Sequence, residues 1–473
     1  MKEIVLRTLL TIASLATLLL LFAAAARENY FNEWRSTQRE YRRLLLAKAE
    51  NEGEVKSARG FSIEIRQIVV PDLGSVDRCV TCHLGLDDPR MADVLQPFAA
   101  HPGSLLKDHD IDKFGCTICH QGQGQATNSQ EAHASKGEVF WEHPLLPDPF
   151  TQSSCGTCHD PSYLADRGAP LLAAGLEALR SGGCLGCHKL GGRGGPLGPD
   201  LDRVGDKTKH SFSFAHVEGE KQVWNWHQEH LRSPADVVPG STMPDTALDE
   251  EGIDALTTYL LSLRSTNLTE QLTPRDRYEQ RYRIWHTRPM SGRELYEQFC
   301  SACHEDGSET VFHETLDVTI PAIKHPDFLA VASKEFLIES IRVGRPETYM
   351  SAWGEGGSGL SDSELERITD YLLEAREEIR EITFVHADNP DPVNGERIFH
   401  GECIDCHALT REAGDAPWLG DPGFHMTYSD VLIGHTIKYG RADTFMIGYG
   451  EEADGDLTDQ EISDLVSYIR TLE

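Results

Sequence analysis

The stretch Cys184–Leu201, CLGCHKLGGRGGPLGPDL, places two cysteines three residues apart, a histidine directly behind them, and a glycine-rich loop with a proline further on. The same C-x-x-C-H pentad occurs six times, and the six copies use all 12 cysteines of the 473-residue chain. The copies are Cys79-Cys82-His83, Cys116-Cys119-His120, Cys155-Cys158-His159, Cys184-Cys187-His188, Cys300-Cys303-His304 and Cys403-Cys406-His407. A pattern that absorbs every cysteine indicates one chemistry, repeated along the chain.

Three kinds of chemistry use paired cysteines. Structural zinc needs four ligands, and a pentad supplies three, so neighbouring pentads would have to share residues. A thioredoxin-like redox pair needs a βαβ setting and no trailing histidine. Covalent haem attachment needs this pattern, because two thiols add to the two vinyl groups and the adjacent histidine coordinates the iron. The sequence therefore predicts six covalently bound haem c groups, with zinc sites or disulfides as alternatives.

The N-terminus has the pattern of a membrane anchor. After Lys2 and Arg7, the 19 residues from Thr8 to Ala26 are uncharged, close to the roughly 20 that cross a bilayer as a helix. We expect residues 1–27 to be an uncleaved transmembrane anchor, with a signal peptide cleaved near the alanines at 23–26 as the alternative. Basic residues on the N-terminal side imply that everything after Arg27 is exported. The prediction is a bacterial cytoplasmic membrane protein with its haem domains in the periplasm.

Residues 28–60 follow as a juxtamembrane helix and linker. The stretch Asn29–Glu50 contains no Gly or Pro, and it predicts a helix that continues out of the membrane. Tyr30, Phe31 and Trp34 are expected at the membrane interface, or packed on the transmembrane helix of a partner.

The region after Cys184 contains three copies of one longer pattern. Behind each pentad come a Pro-x-aliphatic loop, a methionine in a turn-like setting and a final helix with a tyrosine. The copies contribute Pro199, Pro321 and Pro417, then Met243, Met350 and Met446, then Tyr259, Tyr371 and Tyr468. Three copies in register indicate a duplicated module.

The helices of these copies carry their own signals. Ser361-x-x-Glu364 and Thr458-x-x-Glu461 are capping boxes at the start of the final helix. Two copies have a glycine eight residues before the first cysteine and an aromatic residue four before it. The Cys184 copy lacks the aromatic residue, and we expect its first helix to pack differently.

This pattern resembles class I cytochrome c in all three copies. The resemblance implies three small all-α domains, at 166–270, 271–380 and 381–473, in which N- and C-terminal helices cross beside a haem. It implies Met243, Met350 and Met446 as the distal ligands of the iron. A core gap-filler is the alternative for any single methionine, and Met426 competes with Met446. It also implies that the carbonyls of Pro199, Pro321 and Pro417 accept a hydrogen bond from the proximal imidazole and fix its tautomer.

The first three pentads lie within residues 79–159, too close together for three independent folds. The predicted trihaem module, 61–165, lacks methionines suited to ligation, with only Met91 nearby. Four spare histidines lie between or beside its pentads, and three irons need three distal ligands, so bis-His ligation is expected and at least one of the four is a surface or capping histidine. The candidates are His101 and His133, then His109, then His143.

Residues 65–89, IRQIVVPDLGSVDRCVTCHLGLDDP, with FGCTICHQGQGQA and SSCGTCH behind them, resemble multihaem cytochrome subunits that accompany bacterial bc-type quinol-oxidising complexes. The resemblance implies a membrane redox complex, of the bc type, as electron donor.

The net charge of the chain is −32, which makes nucleic acid an unlikely partner. From Glu381 to Glu473 there are 19 Asp and Glu residues against five Lys and Arg, a net of −14. Such a surface steers a basic soluble cytochrome, or another periplasmic electron acceptor, towards the chain. An ordinarily acidic exported surface is the alternative.

Together these patterns predict a mainly α chain: an N-terminal transmembrane helix, a loop-rich trihaem module and three tandem class I cytochrome c-like domains. A thioether ligand raises haem potential above that of a second imidazole, so the order along the chain predicts a downhill wire. We expect a non-catalytic relay from a quinol-oxidising, or other respiratory or photosynthetic, membrane complex to a periplasmic acceptor. A multihaem redox enzyme with an open iron and an extracellular filament subunit are the alternatives.

Overall fold

The computed structural model describes residues 2–134, 141–265, 274, 289–345, 348–376, 384–407, 409, 416, 418–420, 424–425, 428–441 and 444–472. Within these residues the chain is mainly helical, as the sequence predicts. Its strands form three two-stranded antiparallel hairpins.

The N-terminal helix α1, Lys2–Tyr30, is long and apolar enough to cross a membrane, and its apolar side chains are exposed along its length. Helix α2, Glu33–Ala47, begins after a break at Phe31 and Asn32, where Asn32 has an extended backbone. The predicted continuous helix over Asn29–Glu50 is therefore wrong, because the extended Asn32 starts a new helix. A short α3, Glu52–Arg59, follows α2.

The three aromatic residues at this break have different environments. Tyr30 and Phe31 are 67 % and 79 % exposed, whereas Trp34 is 3 % exposed. Trp34 shares the buried face of α2 with Gln38 and Tyr41. The interfacial position expected for Trp34 is wrong, because α2 packs on the folded part of the chain.

Residues 61–165 consist of short elements joined by loops. A hairpin of β1, Ile68–Val70, and β2, Ser75–Asp77, pairs Ile68 with Asp77. The helices that follow are α4, Leu105–Asp108, α5, Ile111–Phe114, α6, Thr117–His120, and α7, Ser129–His133. A small core of Tyr41, Met91 and Phe98 joins this segment to α2.

Longer helices frame each later pentad. Residues 166–270 contain α8, Pro170–Ser181, β3, Lys189–Leu190, β4, Arg193–Gly194, α9, Val223–Arg232, α10, Pro234–Val237, and α11, Glu250–Ser262. Residues 271–380 contain α12, Gly292–Phe299, α13, Ser301–His304, β5, Val311–His313, β6, Val318–Ile320, α14, Pro326–Val331, α15, Lys334–Val343, and α16, Asp362–Leu373. Residues 381–473 contain α17, Pro392–Ile398, a π turn, Phe399–Cys403, α18, Asp430–Tyr439, and α19, Asp459–Ile469. We call these ranges the first, second and third modules.

Short 3₁₀ turns complete the described secondary structure. They are Pro71–Leu73, Cys79–Thr81, Pro89–Met91, Phe150–Thr157, Pro161–Tyr163, Cys184–Gly186, Val204–Asp206, Lys209–Ser211 and Glu451–Ala453. Three of them contain the first cysteine of a pentad.

The first and last helices of each module cross at a glycine. A Cβ atom on Gly292 of α12 would lie 1.9 Å from the Arg367 carbonyl oxygen and 2.7 Å from the Tyr371 Cβ in α16. The other modules repeat this contact, Gly175 with Ala255 and Tyr259, and Gly395 with Asp464 and Tyr468. The expectation that the first helix of the Cys184 copy packs differently is wrong. The Cys184 copy has one more residue between its crossing glycine, Gly175, and its first cysteine than the other two copies have. This extra residue is accommodated at Gly182 and Gly183, and the crossing of the first and last helices is unchanged.

The predicted capping boxes at Ser361 and Thr458 are confirmed, each hydroxyl and the glutamate three residues on capping the backbone reciprocally. The first helix of the second module has the same cap at Ser291. These caps fix where the crossing helices begin.

The first and second modules share one hydrophobic core, which includes Leu179, Leu256, Phe299 and Leu365, and the third has a core of its own. The Arg193 guanidinium in the first module lies 2.7 Å from the Glu364 carboxylate in the second, with both side chains 14 % exposed. The first two modules are therefore packed tightly together.

Candidate functional site: the cysteine–histidine pentads

All six pentads form the same single turn. In each, the backbone N–H of the histidine donates to the carbonyl of the first cysteine, at 2.8 to 3.0 Å. Residues at i, i+3 and i+4 of such a turn lie on one face, so both thiols and the imidazole point to the same side. All 12 cysteines are free thiols, and within the described residues no three His, Cys, Asp or Glu side chains converge on a metal-ion site.

Neighbouring pentads touch one another through their cysteines. The Cys116 thiol hydrogen-bonds to the sulfur of Cys79, which lowers the pKa of Cys79 and raises that of Cys116. The Cys303 thiol interacts with Cys187 in the same way, across the interface of the first and second modules. Groups attached at these sulfurs would be close neighbours.

Cys119 links the second and third pentads. Burial, together with the nearby sulfurs of Cys155 and Cys158, raises its pKa to about 12. Cys155 in turn packs on the core shared by the first two modules, as Cys184 and Cys300 do. The first three pentads are thus joined through their cysteines, as are the fourth and fifth, and one cysteine of each of the third, fourth and fifth packs on the same core.

Asp77 ties the first two pentads together. Its carboxylate is 1 % exposed and accepts hydrogen bonds from the N–H groups of Cys116 and Thr117, at 2.5 and 3.0 Å, and from the Thr117 hydroxyl, at 2.7 Å. Sequence reasoning did not single out Asp77. Its position two residues before Cys79, at the end of a strand, was the available signal.

The spare histidines of residues 61–165 lie opposite the pentad histidines. The ring centroids of His83 and His133 are 6.3 Å apart. The other pairs are His120 with His101, at 6.2 Å, and His159 with His109, at 5.9 Å. Because an imidazole nitrogen lies about 2 Å from a transition metal, two rings that hold one ion between them have centroids roughly 6 Å apart. The three pairs have the spacing that bis-His ligation of iron requires.

Burial lowers the pKa of His83 and of His120, and their partners His133 and His101 lower these pKa values further. A neutral imidazole is the form that binds a metal. The pKa directions of these two pentad histidines therefore favour the form that binds an iron.

His143, the fourth candidate, lies outside the three ring pairs. Burial and the Arg264 charge lower its pKa, and its carbonyl accepts a hydrogen bond from Gly122 at 2.9 Å. Met91 is fully buried in the small core beside α2.

The proline carbonyls lie near the proximal imidazoles where they are described. The carbonyl of Pro199 is 2.8 Å from His188 Nδ1. In the second module, burial lowers the pKa of His304 to about 4, and the Pro321 carbonyl acts in the opposite direction, although Nδ1 has no partner of standard geometry. Pro417 lies outside the described residues. In the first module the Pro199 carbonyl leaves His188 Nε2 as the nitrogen available to iron.

The loops that carry Met350 and Met446 have the same hydrogen bonds. Arg345 N–H donates to the Met350 carbonyl at 2.7 Å, Met350 N–H to Thr348 Oγ1 at 3.1 Å, and the Thr348 hydroxyl to the Arg345 carbonyl at 2.9 Å. The third module repeats these bonds, at 2.8, 3.1 and 2.8 Å, with Arg441, Met446 and Thr444. Met426, the competitor of Met446, lies outside the described residues.

Each of these two loops starts at a glycine with positive φ, +68° at Gly344 and +75° at Gly440. A Cβ there would lie about 2.5 Å from the carbonyl oxygen of Met350 or Met446. Only glycine permits this turn.

Met243 lies in a different loop. Its N–H donates to the Ser241 hydroxyl at 3.2 Å, as the other methionines do to threonine. Its side chain packs on the core shared by the first two modules, as that of Met350 does.

The methionine loops of the second and third modules each contact the other module through an arginine. The Arg345 guanidinium lies 4.8 Å from the ring centroid of Tyr428, and that of Arg441 lies 5.8 Å from the ring centroid of Phe328. Arg345 also contributes to the low pKa of His304. This reciprocal contact joins the sixth pentad's module to the rest.

Comparison with known families gives matches in all three modules. The family model described as cytochrome c matches residues 172–264 and 392–473. The model described as cytochrome C oxidase, cbb3-type, subunit III matches residues 287–372. Each matched stretch falls inside one predicted domain range.

Among curated proteins, the chain is similar to cytochrome c oxidase subunit 2 of Bacillus sp. (strain PS3), with 35 % identity over 99 residues. It is similar to cytochrome c oxidase subunit 2 of Alkalihalophilus pseudofirmus, with 28 % identity over 91 residues. Each match covers 19 % of this chain and 25 % of the relative, so the chain spans about a quarter of either relative's length. No solved structure matches.

Proposed function

We propose that this chain, a multihaem c-type cytochrome with class I-like modules, carries six haems and relays electrons from a membrane quinol-oxidising complex of the bc type to a periplasmic acceptor. Its cytochrome c domains bind haem covalently and indicate electron transfer. Three bis-His haems would precede three Met/His haems along the chain. The bis-His ligands would be His83 with His133, His120 with His101 and His159 with His109. The methionine ligands would be Met243, Met350 and Met446. Haem supplies the redox chemistry, and the chain sets spacing, ligands and potential.

The observation that carries this proposal is that neighbouring haem-attachment sites contact one another through their cysteines at three points along the chain. Cys79 touches Cys116, Cys119 lies beside Cys155 and Cys158, and Cys187 touches Cys303. A substrate-converting enzyme needs one accessible iron, whereas a relay needs neighbouring carriers throughout. The arrangement supports a relay.

The first pentad contacts α2, the helix that follows the apolar α1. The Thr37 hydroxyl in α2 hydrogen-bonds to the Cys82 sulfur, while burial and then the Glu33 charge raise the pKa of Cys82 to about 11. Gln38 donates to the Thr81 carbonyl at 2.9 Å. The first two turns of α2, which starts three residues after α1 ends, thus contact the first pentad. This supports electron entry at the first haem.

A redox titration of the purified full chain, combined with carbon monoxide binding to the dithionite-reduced protein, tests the proposal. We expect six one-electron steps in a lower and a higher group of three, because thioether ligands raise the potential. We expect no carbon monoxide binding. A haem fraction that binds the gas in the unmodified protein would favour an enzyme with an open iron.

Single-residue variants test which histidines ligate the three haems of lower reduction potential. His133→Ala should open one iron in six to carbon monoxide and remove one step of the lower group, because His83 would lose its partner. His143→Ala is the matched control and should leave both measurements unchanged. If the two variants exchanged these outcomes, the bis-His pairing proposed for the first haem would be wrong.

A further inference from the structure

The helix before each methionine loop, which is α9, α15 or α18, can be aligned between modules by a shared hydrogen bond. One carbonyl of this helix accepts a hydrogen bond from the residue three positions after the methionine. The pairs are Leu231 with the Thr246 hydroxyl, at 2.7 Å, Ile341 with Trp353 N–H, at 3.0 Å, and Ile437 with Tyr449 N–H, at 2.9 Å. The residue that follows this carbonyl is a cation in every module: Arg232, Arg342 and Lys438. The three cations therefore occupy equivalent positions.

Each cation forms an ion pair with the residue that begins the last helix of its module. The pairs are Arg232 with Glu250, at 2.5 Å, Arg342 with Asp362, at 2.9 Å, and Lys438 with Asp459, at 2.8 Å. The three carboxylates belong to the first residues of α11, α16 and α19. Each pair therefore joins the two ends of the segment that carries the methionine, and we call the three the loop-closing pairs.

In the second and third modules the same cation also contacts the methionine loop. Gly354 and Gly450 lie four residues after Met350 and Met446, and their N–H groups donate to the carbonyls of Arg342 and Lys438, at 3.1 and 2.9 Å. A Cβ on either glycine would lie 3.0 or 2.5 Å from the Cγ atom of the same cation. The stem of the cation thus lies against the loop while its charged end holds the helix beyond it.

Lys438 is the most enclosed of the three cations. Its side chain is 2 % exposed, and besides Asp459 it contacts the Glu452 carboxylate, at 2.9 Å, in the turn that follows Met446. Arg232 and Arg342 are 32 % and 39 % exposed and take a second carboxylate from their own helix. Exposed ion pairs contribute little and are screened by salt, so the pair at Lys438 should hold its loop most firmly.

We propose that Arg232, Arg342 and Lys438 are positioning residues for the distal methionines, and this inference rests on the proposed function. Their ion pairs close the base of each methionine loop and hold the thioether at the iron. A segment whose ends are joined has fewer conformations to lose when it is ordered. The thioether therefore stays at the iron when an external ligand competes for the same position.

Carbon monoxide binding to the dithionite-reduced full chain tests the inference in the third module. Lys438→Gln should open one iron in six, whereas Lys438→Arg keeps the charge and should leave all six closed. Asp459→Asn removes the partner from the other end of the loop and should admit the gas to the same iron, to a smaller extent because Glu452 remains. This second variant keeps the test independent of whether the Lys438 variants fold.

The second module offers a matched control. Lys334 and Asp370 form an ion pair, at 2.5 Å, between the same two helices, α15 and α16, at the end away from the loop. Lys334 is 40 % exposed, much as Arg342 is. Arg342→Gln should admit carbon monoxide to one iron at low salt, and Lys334→Gln should admit none. Equal gas binding in these two variants would show a general loosening of the helix pair and overturn the proposal.

Methionine variants separate this proposal from the proposed function. Met350→Ala and Met446→Ala should each open one iron in six, and closed irons in both would contradict methionine ligation itself. Opened irons in both, with six closed irons in Lys438→Gln and Arg342→Gln, would leave the ligands in place and overturn the positioning role of the loop-closing pairs.

Discussion

Gly292 and Tyr371 are packed so closely that the backbones of α12 and α16 are in contact. The same contact recurs between Gly175 and Tyr259 and between Gly395 and Tyr468. The three pairs define the helix crossing on which each class I-like module is built.

Gly292→Ala should therefore destabilise the second module. The added methyl group would lie 1.9 Å from the Arg367 carbonyl oxygen, and overpacking of this kind costs about 1–3 kcal/mol. Urea unfolding followed by haem absorbance measures the loss. Gly356→Ala is the control, since no atom lies within 4 Å of its added Cβ. Equal midpoints for the two variants would show that the crossing tolerates a side chain.

Thr348→Val should loosen the loop that carries Met350. The valine keeps the shape of threonine but removes one hydrogen bond to the Arg345 carbonyl and one from the Met350 N–H, each worth about 1 kcal/mol. We expect carbon monoxide to compete for the second module's iron in the variant. Thr348→Ser retains the hydroxyl and should behave as the unmodified chain does. If valine and serine gave the same spectra, the threonine brace would have no role in ligation.

The acidic turn after Met446 should affect the reaction with a basic acceptor. Glu451, Asp454 and Asp456 are exposed, and Glu451→Gln/Asp454→Asn/Asp456→Asn removes three charges. We expect the rate of electron transfer to a basic soluble ferricytochrome c to fall several-fold at low salt and to converge with the unmodified rate at high salt, because screening removes the steering.

Neutralising exposed Glu50, Glu52 and Asp72, which lie in the N-terminal part of the chain, is the matched control and should have little effect. Similar losses in both triple variants would indicate a general effect of net charge, and electron exit at the third module would lose its support.

His227 should make the first module less stable in acid. Burial, with His230 and Lys207 contributing, lowers its pKa to about 3, whereas an unfolded histidine titrates near 6.5. Between these two pH values the unfolded chain binds one more proton than the folded chain, so the free energy of unfolding falls by about 1.4 kcal/mol per pH unit as pH decreases.

His227→Gln should remove this contribution. Urea midpoints at pH 6.5 and 4.5 measure it, with exposed His216→Gln as the control. An unchanged pH dependence in His227→Gln would mean that the ring is accessible to protons in the folded chain.

The sequence predicted the parts of the fold that depend on local residue patterns. Ser361 and Thr458 mark helix starts because capping requires a hydroxyl and a glutamate three residues apart. Tyr371 and Gly292 recur in register because one crossing is repeated. The break at Asn32 was missed, since no Gly or Pro marks it and the burial of Trp34 depends on residues far along the chain.

The candidate site residues depend on the sequence in two different ways. The pentads and the recurring methionine positions can be read from the repeat, and the ligand role of the methionines is implied by the resemblance to class I cytochrome c, whereas the pairing of His83 with His133, 50 residues apart, depends on how loops fold back. Long-range contacts of this kind have no signature in a single sequence.

The contact between Cys187 and Cys303 also bears on how the chain is made. Before haem attachment these sulfurs are free thiols within hydrogen-bonding reach of each other, and the oxidising periplasm that the proposed function implies would favour their disulfide. Such a bond would occupy one attachment thiol in each of two pentads and block both. Under the proposed function, haem would therefore have to reach at least one of these pentads before the first and second modules dock, and the interface between the two modules would also set the order of maturation.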